Sequence, residues 1–468
     1  MRLMVTAALL LSSASAQAHS FGKVYNLPVP FWLYAWAAMV ALLLSFLVSA
    51  WISTRRAPAT LNSSFSLPFA PFASVLIGLM ELVTISALLL CIVAGFYGPS
   101  DPYHNVNMTL FWIGFVLAFA YLTAVIGNVY VHINPWRCLT PRHWLGHWQY
   151  PRHLGCWPAV IIYMAFIWIE LLGHVTPRSL AQMLLAYTIL NWLAAWAFGR
   201  DAWFSQGEFF SVFLRLLGKM APIHWQQQRL TFRMPFMGLL QDSNKHSSET
   251  IFVLFMLSST AYDGLHMTQG WTTLFWRDGF AALQPWLGSN IVAAYPTLKK
   301  LHIAWETSVL LLSPFIYLSL YLTCLWLAKL LTQSSISLKD LALRFTYSLL
   351  PIVLVYHISH YYTLILTQGS QLWRLLSDPL GLGWNLFGIE RSTPTIPDIA
   401  WVWHTQVGLI VFGHIVSVYI AHEEALRSFG NQRQALLSQI PMLILMMAFT
   451  VFGLWILAQP ITPANSPS

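Results

Sequence analysis

Residues 301–330 read LHIAWETSVLLLSPFIYLSLYLTCLWLAKL, with a single acid, Glu306, and a single base, Lys329. A helix of that length, at about 1.5 Å per residue, reaches well past the roughly 30 Å of hydrocarbon in a bilayer. The stretches 28–52, 73–97, 107–131, 157–175, 180–199, 249–269, 341–367, 400–421 and 439–459 read the same way, which makes ten spans in all. Only 9% of the residues are charged and 57% are apolar, whereas a soluble domain carries about a quarter charged. Lipid cannot hydrogen-bond a free backbone, and the runs lack the two-residue alternation of a membrane barrel. The expected fold is an all-α, polytopic transmembrane helix bundle.

The first residues differ. Arg2, the apolar run Met4 to Leu11 and small residues ending in Ala16-Gln17-Ala18 form a secretory signal pattern, too short for a span. The expected organisation is a signal peptide over 1–18 and a single transmembrane domain over 19–468. Cleavage would leave His19 as an amine and imidazole pair suited to copper. An outward mature start makes alternate loops internal. The internal side then carries sixteen basic residues, among them Arg55, Arg56, Arg137, Arg142, Arg152, Arg233 and Lys245, against seven outside. That bias fits a bacterial-type inner membrane with both mature ends periplasmic. The net charge of +8 is thus a topology signal with lipid, not nucleic acid, as the partner.

Residues 204–220 alternate Phe, Val and Leu with Arg215 and Lys219, and suggest an amphipathic helix on the inner surface. Trp32, Trp51, Trp136, Trp157, Trp276, Trp286 and Trp401 sit near span ends, as in an aromatic belt. Cys91, Cys138, Cys156 and Cys324 show no paired spacing of a zinc ribbon, redox or haem-attachment motif. His414, His422, Glu423 and Glu424 read as closing the ninth span at the internal surface, and Glu81 and Glu170 lie deep enough to mark a proton path.

Ionisable groups inside spans need a partner or a purpose. The sixth to ninth spans bring Asp263, His266, His302, Glu306, His357, His360 and His404 to similar depth on the outer side. His302 and Glu306 are four apart and His357 and His360 three apart, so each pair projects from one helix face. Imidazoles and carboxylates on neighbouring helices build metal sites for zinc, copper, iron or manganese. The expected ligands are His302, His357, His360 and His404, with Asp263 and Glu306 as catalytic carboxylates. Pro314 and Pro351 are expected to kink the seventh and eighth spans nearby and open a cavity. A metal there would lower the pKa of bound water and supply hydroxide. Each histidine alone also reads as a packing or interfacial residue. Two alternatives stay open: a redox protein binding haem b or copper, and a transporter or metal-handling permease.

At the same residues the chain resembles a bacterial family of integral membrane proteins labelled fenitrothion hydrolase. The similar elements are Asn26-Leu27-Pro28-Val29-Pro30-Phe31-Trp32-Leu33, Asn134-Pro135-Trp136-Arg137, Ser258-Ser259-Thr260-Ala261-Tyr262-Asp263-Gly264 and His360-Tyr361-Tyr362. Ser377-Asp378-Pro379-Leu380-Gly381, Trp384-Asn385-Leu386-Phe387-Gly388, Gly413-His414, Ala421-His422 and Ser438-Gln439-Ile440-Pro441-Met442 extend the likeness almost end to end. The resemblance implies hydrolysis of an organophosphorus triester, a small apolar substrate that releases a nitrophenol. A synthetic pesticide is not an ancestral substrate, so the resemblance also implies a broader native role. It carries no catalytic residues of its own.

Overall fold

The structure, a computed structural model, describes residues 30–53, 65–68, 71–225, 229–242, 244–288, 290–389, 398–429 and 431–459. The signal segment and His19 lie outside them. The main helices are α1 Phe31–Ser53, α2 Pro71–Tyr97, α3 Val106–Ile126, α4 Trp157–Leu172, α5 Pro177–Phe198, α6 Phe209–Gly218, α7 Ser247–His266, α8 Ile291–Thr332, α9 Leu350–Thr367, α10 Ile399–Ser428 and α11 Gln432–Ala458. Among the described residues, nine helices are long and apolar enough to cross a membrane. The chain is a multi-pass, all-α membrane protein.

The tenth expected span, 249–269, is the exception. It forms α7, which matches the bilayer in length, yet every residue from Ser248 to Gly264 is buried. This helix touches protein on all sides and so needs no lipid-compatible surface. Several of its polar residues are partnered by its neighbours: Ser258 meets Ser313 of α8 at 2.8 Å, and Thr250 meets Thr346, just before α9, at 2.9 Å. Glu249 accepts from the Tyr347 hydroxyl at 2.9 Å and pairs with Arg215 of α6 at 3.4 Å.

The expected surface helix over 204–220 is enclosed as well. No residue of α6 is exposed, because its apolar side packs on α4 and the end of α3 while Arg215 turns to Glu249. Glu208, fully buried, caps it by accepting from the Phe210 and Ser211 amides at 3.0 and 2.7 Å and from the Tyr187 hydroxyl. In a bilayer, contacts of this kind and close backbone approach hold helices together, since apolar burial alone gains little over lipid. Gly95 of α2 shows the second device. A Cβ there would lie 2.5 Å from the Pro177 carbonyl and 2.6 Å from the Ala181 Cβ of α5.

Proline positions differ partly from expectation. Pro314 lies inside α8, as does Pro296. Pro351 falls in the first turn of α9, behind a short tight turn at Thr346–Leu349, where its missing N–H has no helical partner to lose. It therefore starts the helix instead of kinking it.

One small sheet, not foreseen from the sequence, joins β1 Phe65–Pro68, β2 Ile223–Trp225 and β3 Arg229–Phe232 in the order β1-β3-β2, both pairings antiparallel. It ties the connection after α1 to the one after α6, so both lie at the same end of the bundle. The chain then runs up α7 and delivers His266, its last residue, to the opposite end, where α8 begins.

Candidate active site

At that opposite end α7, α8 and α9 bring five ionisable side chains together. Asp263 is 1% exposed and Glu306 3%, so each requires neighbours that supply hydrogen bonds in place of water. Asp263 has His360 Nε2 at 2.9 Å, His266 Nε2 at 3.3 Å and the donated hydroxyl of Tyr361. Glu306 accepts from Trp271 Nε1 at 2.9 Å and from the Tyr262 hydroxyl, and His302 Nε2 lies at 3.2 Å. His266 links the two halves, with Nδ1 3.7 Å from Glu306 Oε2 and its ring stacked on Tyr262 at 5.3 Å. The result is a continuous chain from His302 through Glu306, His266 and Asp263 to His360.

Helical spacing explains the order. His302 lies one turn before Glu306 on α8, and His266 one turn after Asp263 on α7, so each pair shares a face. Gly264 sits where α7 and α11 touch: a Cβ there would lie 2.5 Å from Ile456 Cγ2 and 3.6 Å from His360 Cε1. Glycine thus allows α7 and α11 to meet beside the Asp263–His360 pair.

The surface end of the chain is His302, whose side chain is 25% exposed. Aromatic rings surround it: Phe275 edge-on at 4.7 Å, Trp276 at 5.1 Å and Trp305 at 5.8 Å between centroids. Trp271 stacks on Trp305 at 4.4 Å while donating to Glu306, so the aromatic rim and the buried carboxylate are one unit. Trp276, read from the sequence as part of a belt, belongs to this rim.

Two expected ligands face elsewhere. His357 and His360 are about 60° apart around the helix. That offset turns His357 toward α3, where the Tyr121 hydroxyl lies 2.9 Å from its Nδ1 and donates to its carbonyl at 3.1 Å. His404 is exposed, its ring 6.1 Å from that of Tyr34 on α1. Its neighbour Trp403 is 4% exposed and occupies the inward direction, which leaves the next position on α10 facing out. The seven residues expected to share one pocket are therefore five, joined by Tyr262, Tyr361 and Trp271. The two tyrosines adjoin Asp263 and His360 in sequence, a signal that was present but chemically ambiguous.

The donor types suit a divalent transition metal, but the packing does not present them to one. The carboxylate oxygens already receive tyrosine, tryptophan and histidine groups, and among the described residues no set of three or more His, Cys, Asp or Glu side chains is arranged to hold an ion.

These features define a polytopic helical membrane protein with a carboxylate, imidazole and tyrosine network at one end of its bundle. Comparison with protein-family models, with curated proteins and with solved structures found no match in any of the three.

Proposed function

We propose that the chain is a membrane-bound hydrolase of aryl organophosphorus triesters, with His302 as general base and Glu306 as its orienting carboxylate. One observation carries this reading: a partly exposed imidazole bonded to a buried carboxylate at an aromatic rim. A neutral His302 that donates from Nε2 to Glu306 keeps Nδ1 as an acceptor. It takes a proton from water as the water oxygen bonds to phosphorus, and the bond from phosphorus to the aryl oxygen breaks. The aryl oxide leaves with the electron pair, and a nitro-substituted one needs no added proton. Phe275, Trp276 and Trp305 supply faces and edges on which an aryl group stacks. Tyr262 and Trp271 hold Glu306 in place, and Asp263 with His360 and Tyr361 forms the layer behind.

The resemblance to the fenitrothion hydrolase family supports the substrate class, and the sixteen-to-seven bias of basic residues supports an inner-membrane protein with this end facing the periplasm. A metal-dependent form of the reaction, using zinc, copper, iron or manganese, rests on donor chemistry alone. It predicts stoichiometric metal in purified protein and activity lost to a chelator.

The test is release of 4-nitrophenolate from a phosphotriester by purified protein in lipid nanodiscs. His302→Ala should lower kcat/KM by about 10²–10⁴-fold, the usual contribution of a general base. His404→Ala should leave it unchanged. Full activity in both His302→Ala and Glu306→Gln would end the proposal.

A further inference from the structure

A second polar feature lies in the interior, away from the aromatic rim. The sequence places His414 near the internal surface, but it is the sixteenth residue of the thirty-residue α10 and is 3% exposed. Its Nδ1 lies 2.8 Å from the Ile410 carbonyl, which only accepts, so Nδ1 carries the proton and Nε2 is an acceptor. Nε2 is buried without a hydrogen-bonding partner, and so is the hydroxyl of Tyr356 on α9, a residue 6% exposed. Orphaned polar atoms are few in native interiors, and each is costly to leave so. These two residues line the same cavity.

Leu257, Ala261, Ile410 and Gly453 supply apolar wall, and Tyr317 and Phe449, stacked on each other at 5.1 Å, form another side. The space open to the centre of a water-sized sphere is about 20 Å³. One water needs roughly 10–15 Å³ by that measure and at least two polar partners. The volume admits one water, and the two orphaned groups belong to residues of the lining. The donor and acceptor pattern selects the ligand: it must donate to His414 Nε2 and can accept from the Tyr356 hydroxyl, which is what a single hydroxyl group does. A carbonyl cannot donate to Nε2, and an ammonium or a metal ion would carry an unpaired charge into a cavity walled mainly by apolar side chains.

We propose that this cavity is a binding site for one hydroxyl-bearing molecule, a resident water, which bridges Tyr356 and His414. His414 thereby becomes a proton-exchanging group at the middle of the membrane. Ala261 lies two residues before Asp263, and Tyr356 one turn before His360, so the wet site sits directly beneath the network at the bundle end. An intramembrane ionisable residue reached by water is a common element of proton paths. The proposal does not depend on the hydrolase reading.

The experiment is solid-state NMR on the full chain, labelled with ¹⁵N-histidine, in lipid bilayers. Magnetisation is transferred from water to the imidazole nitrogens, and the His414 signals are assigned by their loss in His414→Gln. The expected result is a neutral ring protonated at Nδ1 whose Nε2 receives magnetisation as readily as those of exposed His143 and His153. Tyr356→Phe should slow that transfer several-fold while leaving the His360 signals in place. A phenol added to the bilayer should suppress the transfer only if a larger hydroxyl compound is the true occupant, which would overturn the assignment to water. A His414 ring with no contact to water would overturn the site altogether, as would a tautomer protonated at Nε2.

Discussion

Glu306→Gln keeps the shape of a side chain on which three hydrogen-bonding groups converge, removes its charge and turns one accepting oxygen into a donating amide. The Tyr262 hydroxyl, Trp271 Nε1 at 2.9 Å and His302 Nε2 at 3.2 Å all point at its oxygens. A bond to an ionised acceptor contributes about 1.5–3 kcal/mol and a neutral one about 0.5–1.5, so the loss of charge costs about 1 kcal/mol per bond and about 3 in total. The glutamine oxygen still serves Trp271 and His302, and the Tyr262 hydroxyl can rotate to accept from the amide. Glu306→Ala has no such refuge and should cost about 3–5 kcal/mol, the range for a buried charged group's partners left unpaired. Chemical unfolding in detergent, followed by tryptophan fluorescence, measures both. A double-mutant cycle with Tyr262→Phe isolates one contact and should give a coupling of at least about 1 kcal/mol. If Glu306→Gln were as stable as the parent and the coupling were zero, the network would not exist as described.

Gly264→Ala should destabilise by about 1–3 kcal/mol, the cost of overpacking, because the new methyl meets Ile456 Cγ2 at 2.5 Å. Adding Ile456→Ala should recover part of that loss in the same unfolding assay. Glu249→Ala leaves Arg215 and Tyr347 without their acceptor inside the bundle and should cost about 3 kcal/mol or prevent assembly, read as loss of a monodisperse peak in size-exclusion chromatography. Near the sheet end of the bundle, Lys219 Nζ lies 2.5 Å from Asp242. Burial opposes ionisation of Asp242, but the hydrogen bond and charge of Lys219, with His224 and Arg233, outweigh it and hold the carboxyl below its usual value; burial likewise pushes Lys219 below the usual amine range. A depressed carboxylate stabilises above its unfolded pKa and loses that contribution as pH falls through the folded one. Melting temperature should therefore drop as pH is lowered from about 5 toward 3, and Lys219→Met should flatten that part of the profile.

Composition and span length made the bundle legible, because lipid exposure imposes its signature on every helix that faces it. α7, a helix of spanning length that is buried along its run, kept only the length. Ser258, Thr250 and its two acids find partners on other elements that no linear pattern names. The same limit separates the site residues. His302 with Glu306, and Asp263 with His266, follow from one-turn spacing and are found together. His404 shares their depth but not their direction, and only the inward packing of Trp403 decides that. The Phe65–Pro68 strand is four residues long and ends in proline, far from a strand signal until it meets Arg229–Phe232. Enclosure of Phe209–Gly218 was equally hidden: a strongly two-sided helix fits a membrane surface or a protein groove, and the buried Arg215 to Glu249 pairing is what selects the groove.

A transmembrane-length helix wrapped wholly by its neighbours has consequences for biogenesis. During synthesis α7 emerges before α8, α9, α10 and α11 exist, and its acids and hydroxyls make a poor bargain with bilayer hydrocarbon, where a polar group left without a partner is costly. Its residence in the membrane must therefore be completed by later segments that arrive and shield it. Chains stopped after His266 should slip back out of the bilayer or be cleared by quality-control proteases, whereas chains extended past Thr367 should retain it.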